Sequence, residues 1–122
     1  MKRNWEIIRA ILLELESSTT ANSVLNATSL PPYEEQAVAY NIRLLHQAGY
    51  IVANIRDSST GDGKIGIALA RSLTNSGHEL LDTIRNDTVW SKVQDKFKAS
   101  GLEMTFDLVI LAGKKIMEAM LS

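Results

Sequence analysis

The sequence predicts an α+β fold, mostly helical, with a small antiparallel β-ribbon and additional C-terminal helices. Three observations lead there. A segment with helical spacing, about Tyr33 to Gln47, meets a stop at Ala48-Gly49-Tyr50 and continues directly into an alternating stretch rich in β-formers, Tyr50 to Arg56. A polar, glycine-bearing tip follows, Asp57-Ser58-Ser59-Thr60-Gly61-Asp62-Gly63, and then a return strand through Ile65, Ile67, Leu69 and Arg71. Beyond it, three more segments repeat apolar residues at helical spacing. Helix, cap, strand, tip and return strand in this order form the second half of a winged-helix unit, so the predicted fold is winged-helix-like.

At 122 residues the chain is expected to form a single domain, because two independent cores are hard to build at this length. Within it, 1–73 reads as the helix and wing unit and 74–122 as a C-terminal helical extension. No linker is long enough to divide them. Hydrophobic residues at 45% and charged residues at 22% exclude a disordered chain. The absence of cysteine excludes disulfide staples, thiolate metal sites and a cysteine nucleophile. Apolar residues after Met1-Lys2-Arg3 are broken by Glu6, Arg9 and Glu14, which argues for an amphipathic helix over a signal peptide. No stretch approaches the roughly 20 apolar residues of a membrane span, so a cytoplasmic location is expected. Net charge is −1, from 13 basic and 14 acidic residues, and this balance counts against strong phosphate-driven DNA binding without excluding a local patch.

The first helix carries Trp5, Ile8, Ile11, Leu12 and Leu15 on one stripe. Ser17-Ser18-Thr19-Thr20 breaks it with residues that bond their own backbone. Ser23 to Leu30 reads as a brief strand. Pro31-Pro32 then introduces a second helix starting near Pro32 or Tyr33, with Glu34 and Glu35 suited to its positive end. Its inward face is expected to hold Ala37, Tyr40 or Asn41, Leu44, Leu45 and Ala48, and Gly49 is the left-handed cap. Past the ribbon, Thr74 is an expected N-cap ahead of His78, Leu80, Leu81 and Ile84. Asp87 or Thr88 caps the next helix, Val89 to Lys98, whose face is Val89, Trp90, Val93 and Phe97. Ser100-Gly101 ends it, and Thr105 or Asp107 opens a last helix reaching Leu121.

The run from Ser72 to Trp90 contains the pattern Leu-Thr-x-x-Gly-His-x-x-Leu-Asp, at Leu73-Thr74, Gly77-His78 and Leu81-Asp82. With Met1-Lys2-Arg3, the Ile8 to Glu16 helix and the Tyr40 to Ile51 stretch, it resembles the bacterial and phage family catalogued as domain of unknown function 2513. The resemblance covers nearly the whole chain. It implies a winged-helix fold and a link to mobile elements, and no particular activity. One departure is Asn41, where the family often has a His after the Tyr, so no role of that His carries over.

Candidate chemistry falls in four places. On the ribbon, Arg56, Lys64 and Arg71 are placed to straddle a DNA backbone, although solvated ribbon cations partly neutralised by Asp57 and Asp62 would look the same. The Tyr33 to Gln47 helix stands where a winged helix has its recognition helix, and it offers Gln36, Asn41, Arg43 and Gln47 for base edges. Against that, Glu34 and Glu35 repel phosphates, and the segment before the helix is too irregular for a regular helix-turn-helix. His46 and His78 have neither cysteine partners nor metal-ligand spacing, and His78 reads as a buried or capping group. Gly61-Asp62-Gly63-Lys64-Ile65-Gly66 lacks the spacing of a phosphate loop and leads into a strand, which makes it a hairpin tip.

The fourth place is the segment Thr105 to Leu121, whose apolar stripe is too wide for one face of a surface helix. Such a helix is either sandwiched in the core or used between two copies, with Phe106, Val109, Ile110, Ile116, Met117 and Met120 as the interface set. Lys92, Lys96 and Lys98 with Lys114 and Lys115 add a modest basic cluster. The expectation is a non-enzymatic protein without cofactor. Its partner is double-stranded DNA, in the manner of a phage or mobile-element regulator, with a homodimer as the working form. The alternative is a host or phage protein docked on the same scaffold without DNA.

Overall fold

The structure is a computed structural model that describes residues 1–18, 20 and 23–122. The elements in chain order are α1 (Trp5–Ser17), β1 (Leu25–Asn26), a 3-10 turn (Ala27–Ser29), α2 (Glu35–Gln47), β2 (Ile51–Asp57), β3 (Ile65–Leu73), α3 (Asn75–Ile84), α4 (Asp87–Ser100) and α5 (Phe106–Leu121). The chain is therefore α+β, mostly helical with one small antiparallel sheet. It divides into two compact units, Met1–His78 and Glu79–Ser122.

In the first unit, α1 is capped by Asn4, whose Oδ1 accepts from the Glu6 and Ile7 amides at 3.0 and 3.2 Å. It buries Ile7, Ile8, Ile11, Leu12 and Leu15. Ile7 joins the predicted stripe and Trp5 is only half-buried, because α1 packs on both α2 and β3 and so needs a broader apolar face. Of the polar break expected at Ser17 to Thr20, Thr19 lies outside the described residues. The strand expected over Ser23 to Leu30 shrinks to two residues. Asn26 ends it by accepting the Thr28 amide on its own side chain at 3.2 Å, which diverts the backbone into the 3-10 turn.

The start of α2 lies later than predicted. Glu34 is its N-cap, with one carboxylate oxygen on the Gln36 amide at 2.9 Å and the other on the Ala37 amide at 3.0 Å. Two charge-assisted bonds outweigh the preference of Pro32 for a first turn. The buried stripe is Val38, Ala39, Asn41, Ile42 and Leu45. It is rotated from the expected face, which kept Leu44 and Ala48, because α2 packs against α1 on one side and β2 and β3 on the other. At the C-terminus Gly49 adopts φ +84°, where its amide donates to the His46 carbonyl and that of Tyr50 to the Leu45 carbonyl, the five-to-two and six-to-one pair that closes a helix on a left-handed glycine.

β3 is the central strand of the sheet, in the order β1-β3-β2, and both pairings are antiparallel. Ile51 and Ala53 point inward from β2, and Ile65, Ala68 and Ala70 from β3. The return strand thus departs from the expected alternation, and Ile67 is 47% exposed. Register shifts at Val52/Ala53 and Arg56/Asp57 account for this, since each irregularity changes which face the next residue takes.

The ribbon base is fastened to the start of α3. The Thr74 amide donates to the Tyr50 carbonyl at 3.0 Å and its hydroxyl donates to the Gly49 carbonyl at 2.6 Å. The same hydroxyl accepts the Gly77 amide at 3.1 Å, so Thr74 caps α3 as predicted. A Cβ on Gly77 would stand 1.9 Å from the Tyr50 carbonyl oxygen. These bonds carry the first unit into the first turn of α3, beyond the Leu73 boundary read from the sequence. His78, expected buried or capping, is exposed, because Thr74 already supplies the cap.

In the second unit, Asn86 rather than Asp87 or Thr88 caps α4, accepting the Thr88 and Val89 amides at 2.9 and 3.1 Å. α4 buries the four predicted residues Val89, Trp90, Val93 and Phe97. Thr105 caps α5 through the Leu108 amide at 3.2 Å. α5 buries Val109, Gly113 and Ile116 and packs on α4. Gly113 lies so close to α3 that a Cβ there would meet the Thr83 carbonyl oxygen at 2.7 Å. Among the described residues no helix is long and apolar enough to cross a membrane.

Candidate nucleic-acid interface

Between α2 and the ribbon tip lies an open groove of about 540 Å³, lined by Met1, Glu34, Gln36, Tyr40, Arg43, Gly63, Lys64 and Ile65. Gln36 builds it. Its Oε1 accepts the Ile65 amide and its Nε2 donates to the Ile65 carbonyl, both at 2.9 Å, so one side chain pairs with β3 as a neighbouring strand would. That makes Gln36 a positioning residue for the tip, with one hydrogen-bonding position on each of its polar atoms committed to Ile65.

Arg43 is the cation of the groove floor. Its guanidinium carbon stands 5.4 Å from the centroid of the Tyr40 ring, one helical turn earlier, and its Nη1 is 3.7 Å from Asp57 Oδ1. The Asp57 side chain is 81% exposed, so this ion pair is weak. Lys64 is exposed at the tip and faces the same groove. Two of the neighbouring acids are occupied locally. Glu34 caps α2, and Asp62 accepts the Lys64 amide at 2.9 Å, closing the turn. That bond, with help from the Thr60 hydroxyl, holds the Asp62 carboxyl below its ordinary value of 3.8.

The other residues proposed from the sequence lie elsewhere. Asn41 is buried, its Oδ1 accepting the Asn4 amide at 2.9 Å and its Nδ2 donating to the Ala37 carbonyl at 2.8 Å. It ties the beginning of α1 to α2 and is removed from base readout. Gln47 is exposed at the far end of α2. Arg56 and Arg71 are exposed on the ribbon, Arg71 donating through Nε to Asn54 Oδ1. Arg56 alternates with the inward Ala53 and half-buried Ile55, which places it on the sheet face turned away from α2. The structure thus gathers Gln36, Arg43 and Lys64 at one groove and puts Arg56 and Arg71 on another surface. Met1 and Tyr40 are groove residues that the sequence reading missed. The Tyr40 to Arg43 spacing of three was the available signal, whereas Met1 arrives through the Asn4 to Asn41 bond.

On α5, Val109 and Ile116 of the predicted interface set are buried, and Phe106, Ile110 and Met117 are half-buried. Met120 is exposed. The exposed apolar residues in the middle of the helix are instead Leu108 and Leu111. His46 is exposed, with Nδ1 3.4 Å from the Ile51 carbonyl oxygen, and no group of three metal-ligating side chains occurs among the described residues.

Comparison with known proteins places this geometry in a family. The chain is 40% identical over 122 residues to a protein of Haemophilus influenzae named "Uncharacterized protein", and the match covers all of both chains. No solved structure matches significantly. The family model described as "Hypothetical protein (DUF2513)" matches residues 2–103, which takes in every element from α1 to α4. The chain belongs to the DUF2513 family.

Proposed function

We propose that the Met1–His78 unit is a winged-helix module that binds double-stranded DNA through the α2 and ribbon-tip groove, as an accessory regulator of phage or mobile-element type. The observation that carries this reading is the Gln36 to Ile65 pair. It holds the tip beside the leading turn of α2 and leaves Arg43 and Lys64 facing one open groove. The order helix, short strand, turn, helix and ribbon, with β1 added to the far strand, supports it, since this is the winged-helix order with the second helix reduced to a 3-10 turn. Phosphates on Arg43 and Lys64 would displace the weak Asp57 contact, and the exposed Arg56 and Arg71 would add contacts only if the duplex wraps the ribbon. This reading treats the chain as a binding protein, not an enzyme, acting in the cytoplasm.

Fluorescence anisotropy with labelled duplexes, including fragments of the operon that encodes the chain, tests it at several salt concentrations. Binding is expected to weaken with salt, and Lys64→Ala is expected to reduce the log–log slope by about 1. Absence of affinity at low salt refutes the reading.

Two observations favour a second reading, a protein-docking module on the same scaffold. The basic and acidic side chains of the unit balance, and the exposed Glu35 stands at the leading end of α2. A partner recovered reproducibly from host lysate, and lost on Arg43→Ala, would favour it.

A further inference from the structure

The second unit carries an apolar seam between α4 and α5 that opens to solvent beside the buried Phe97. A groove of about 350 Å³ is lined by Phe97, Leu102, Leu108, Leu111 and Ala112, with Lys96 and Lys115 at its rim. Leu108 is 38% exposed and Leu111 is 49% exposed. The second groove along α5 continues toward the C-terminus, between Lys92, Lys96, Lys115 and Met120. With 100° per residue, Leu111 stands opposite the buried Val109, Gly113 and Ile116, so it marks the middle of the outward face. Around it on that face are Asp107 and Leu108 in one direction and Lys114, Lys115 and Glu118 in the other, all exposed.

This face is polar in sequence: a carboxylate precedes Leu111 and two lysines follow it. A parallel copy would set acid on acid and lysine on lysine. An antiparallel copy related by a two-fold axis at Leu111 has the opposite result. Asp107 lies about 6 Å before Leu111 along the helix, while Lys114 and Lys115 lie about 4.5 and 6 Å after it, so each acid comes level with the lysines of the other copy. Leu108 then covers the aliphatic stem of Lys115 of the second copy. Glu118 lies about 10.5 Å after Leu111, beyond the level of Phe106, where α5 of the second copy begins.

We propose that α5 pairs antiparallel with α5 of a second copy, centred on Leu111 and oriented by Asp107 with Lys114 and Lys115. The surface is self-complementary, as a two-fold contact requires. A single helix pair is small, below about 1,200 Å² of buried surface, so the dimer is concentration-dependent. The proposal concerns the second unit alone and does not depend on the DNA reading.

Sedimentation velocity of the full chain, from about 10 µM to about 500 µM, tests it. The expected result is a shift from monomer to dimer across that range. Leu111→Glu is expected to abolish the shift, and Asp107→Lys to weaken association about tenfold, because each contact occurs twice by symmetry. Combining Asp107→Lys with Lys114→Glu and Lys115→Glu restores it, with circular dichroism confirming that each exposed substitution leaves the fold intact. A chain that is monomeric throughout overturns the proposal. So does a dimer indifferent to Leu111→Glu, or a folded triple reversal that fails to recover association.

Discussion

Replacing Gln36 by Ala removes both hydrogen bonds to Ile65 in one step. Each such bond contributes about 0.5–1.5 kcal/mol net, and Gln36 is half-buried, so water recovers part of the loss. The expected cost is about 1–2 kcal/mol, which corresponds to about a 5–30-fold rise in opening at the base of the tip. Hydrogen exchange reads this directly: the Ile65 amide should lose protection by that factor, while the Ile8 amide, bonded to Asn4 within α1, should change only as far as global stability does. Gln36→Glu sharpens the test. A carboxylate still accepts from the Ile65 amide but faces the Ile65 carbonyl without a proton to give. Its protonated form recovers the second bond, so its folded pKa is raised above the unfolded value. The stabilisation is therefore present at low pH and lost as pH rises through the folded pKa, the reverse of an ordinary surface carboxylate. Equal protection of Ile65 in the wild-type and Gln36→Ala chains would refute the positioning role and remove the structural basis for the groove.

Three further outcomes rest on other contacts of the fold. Gly77→Ala drives a Cβ to within 1.9 Å of the Tyr50 carbonyl oxygen, which is backbone and cannot rotate away, so urea titration should show a loss of several kcal/mol or no folded protein; a loss under about 1 kcal/mol would contradict the packing. Asn41→Ala leaves the Asn4 amide without its acceptor and should cost about 1–3 kcal/mol by the same titration, with Asn41→Asp retaining part of the bond to Asn4. For Asp62, a depressed folded pKa means that its stabilisation of the tip is complete above the unfolded value and lost as pH falls through the folded one; the Lys64 amide shift should titrate below the ordinary carboxylate range, and a midpoint above that range would exclude the turn described.

What could be read from the sequence was mostly local. The capping roles of Gly49 and Thr74 act within one turn of where they sit, and that chemistry is written in neighbouring residues, whereas the bonds from Thr74 back to Gly49 and Tyr50 are not. The α4 face was equally legible because one partner helix makes a narrow stripe. The misplacements arose where a competing local bond intervened, as when Asn26 ended β1 and Glu34 delayed α2. Long-range partners were invisible. Asn41 looks like a surface polar residue until Asn4, 37 positions earlier, is brought to it, and Gln36 looks like a base reader until Ile65 arrives. On α5 the apolar residues spread over an inward and an outward face. Which half turns inward is decided by Gly113 against Thr83, and a lone glycine in a helix does not announce its neighbour.

The fastening of Thr74 to Gly49 and Tyr50 gives the ribbon a character of its own. Both ends of the excursion from 50 to 74 are tied at its root, so the two helices it joins are held in place independently of what the hairpin carries beyond Ile65. The tip from Ser58 to Gly63 is thereby an exchangeable cassette. A tag or cross-linker inserted there should leave the helices undisturbed.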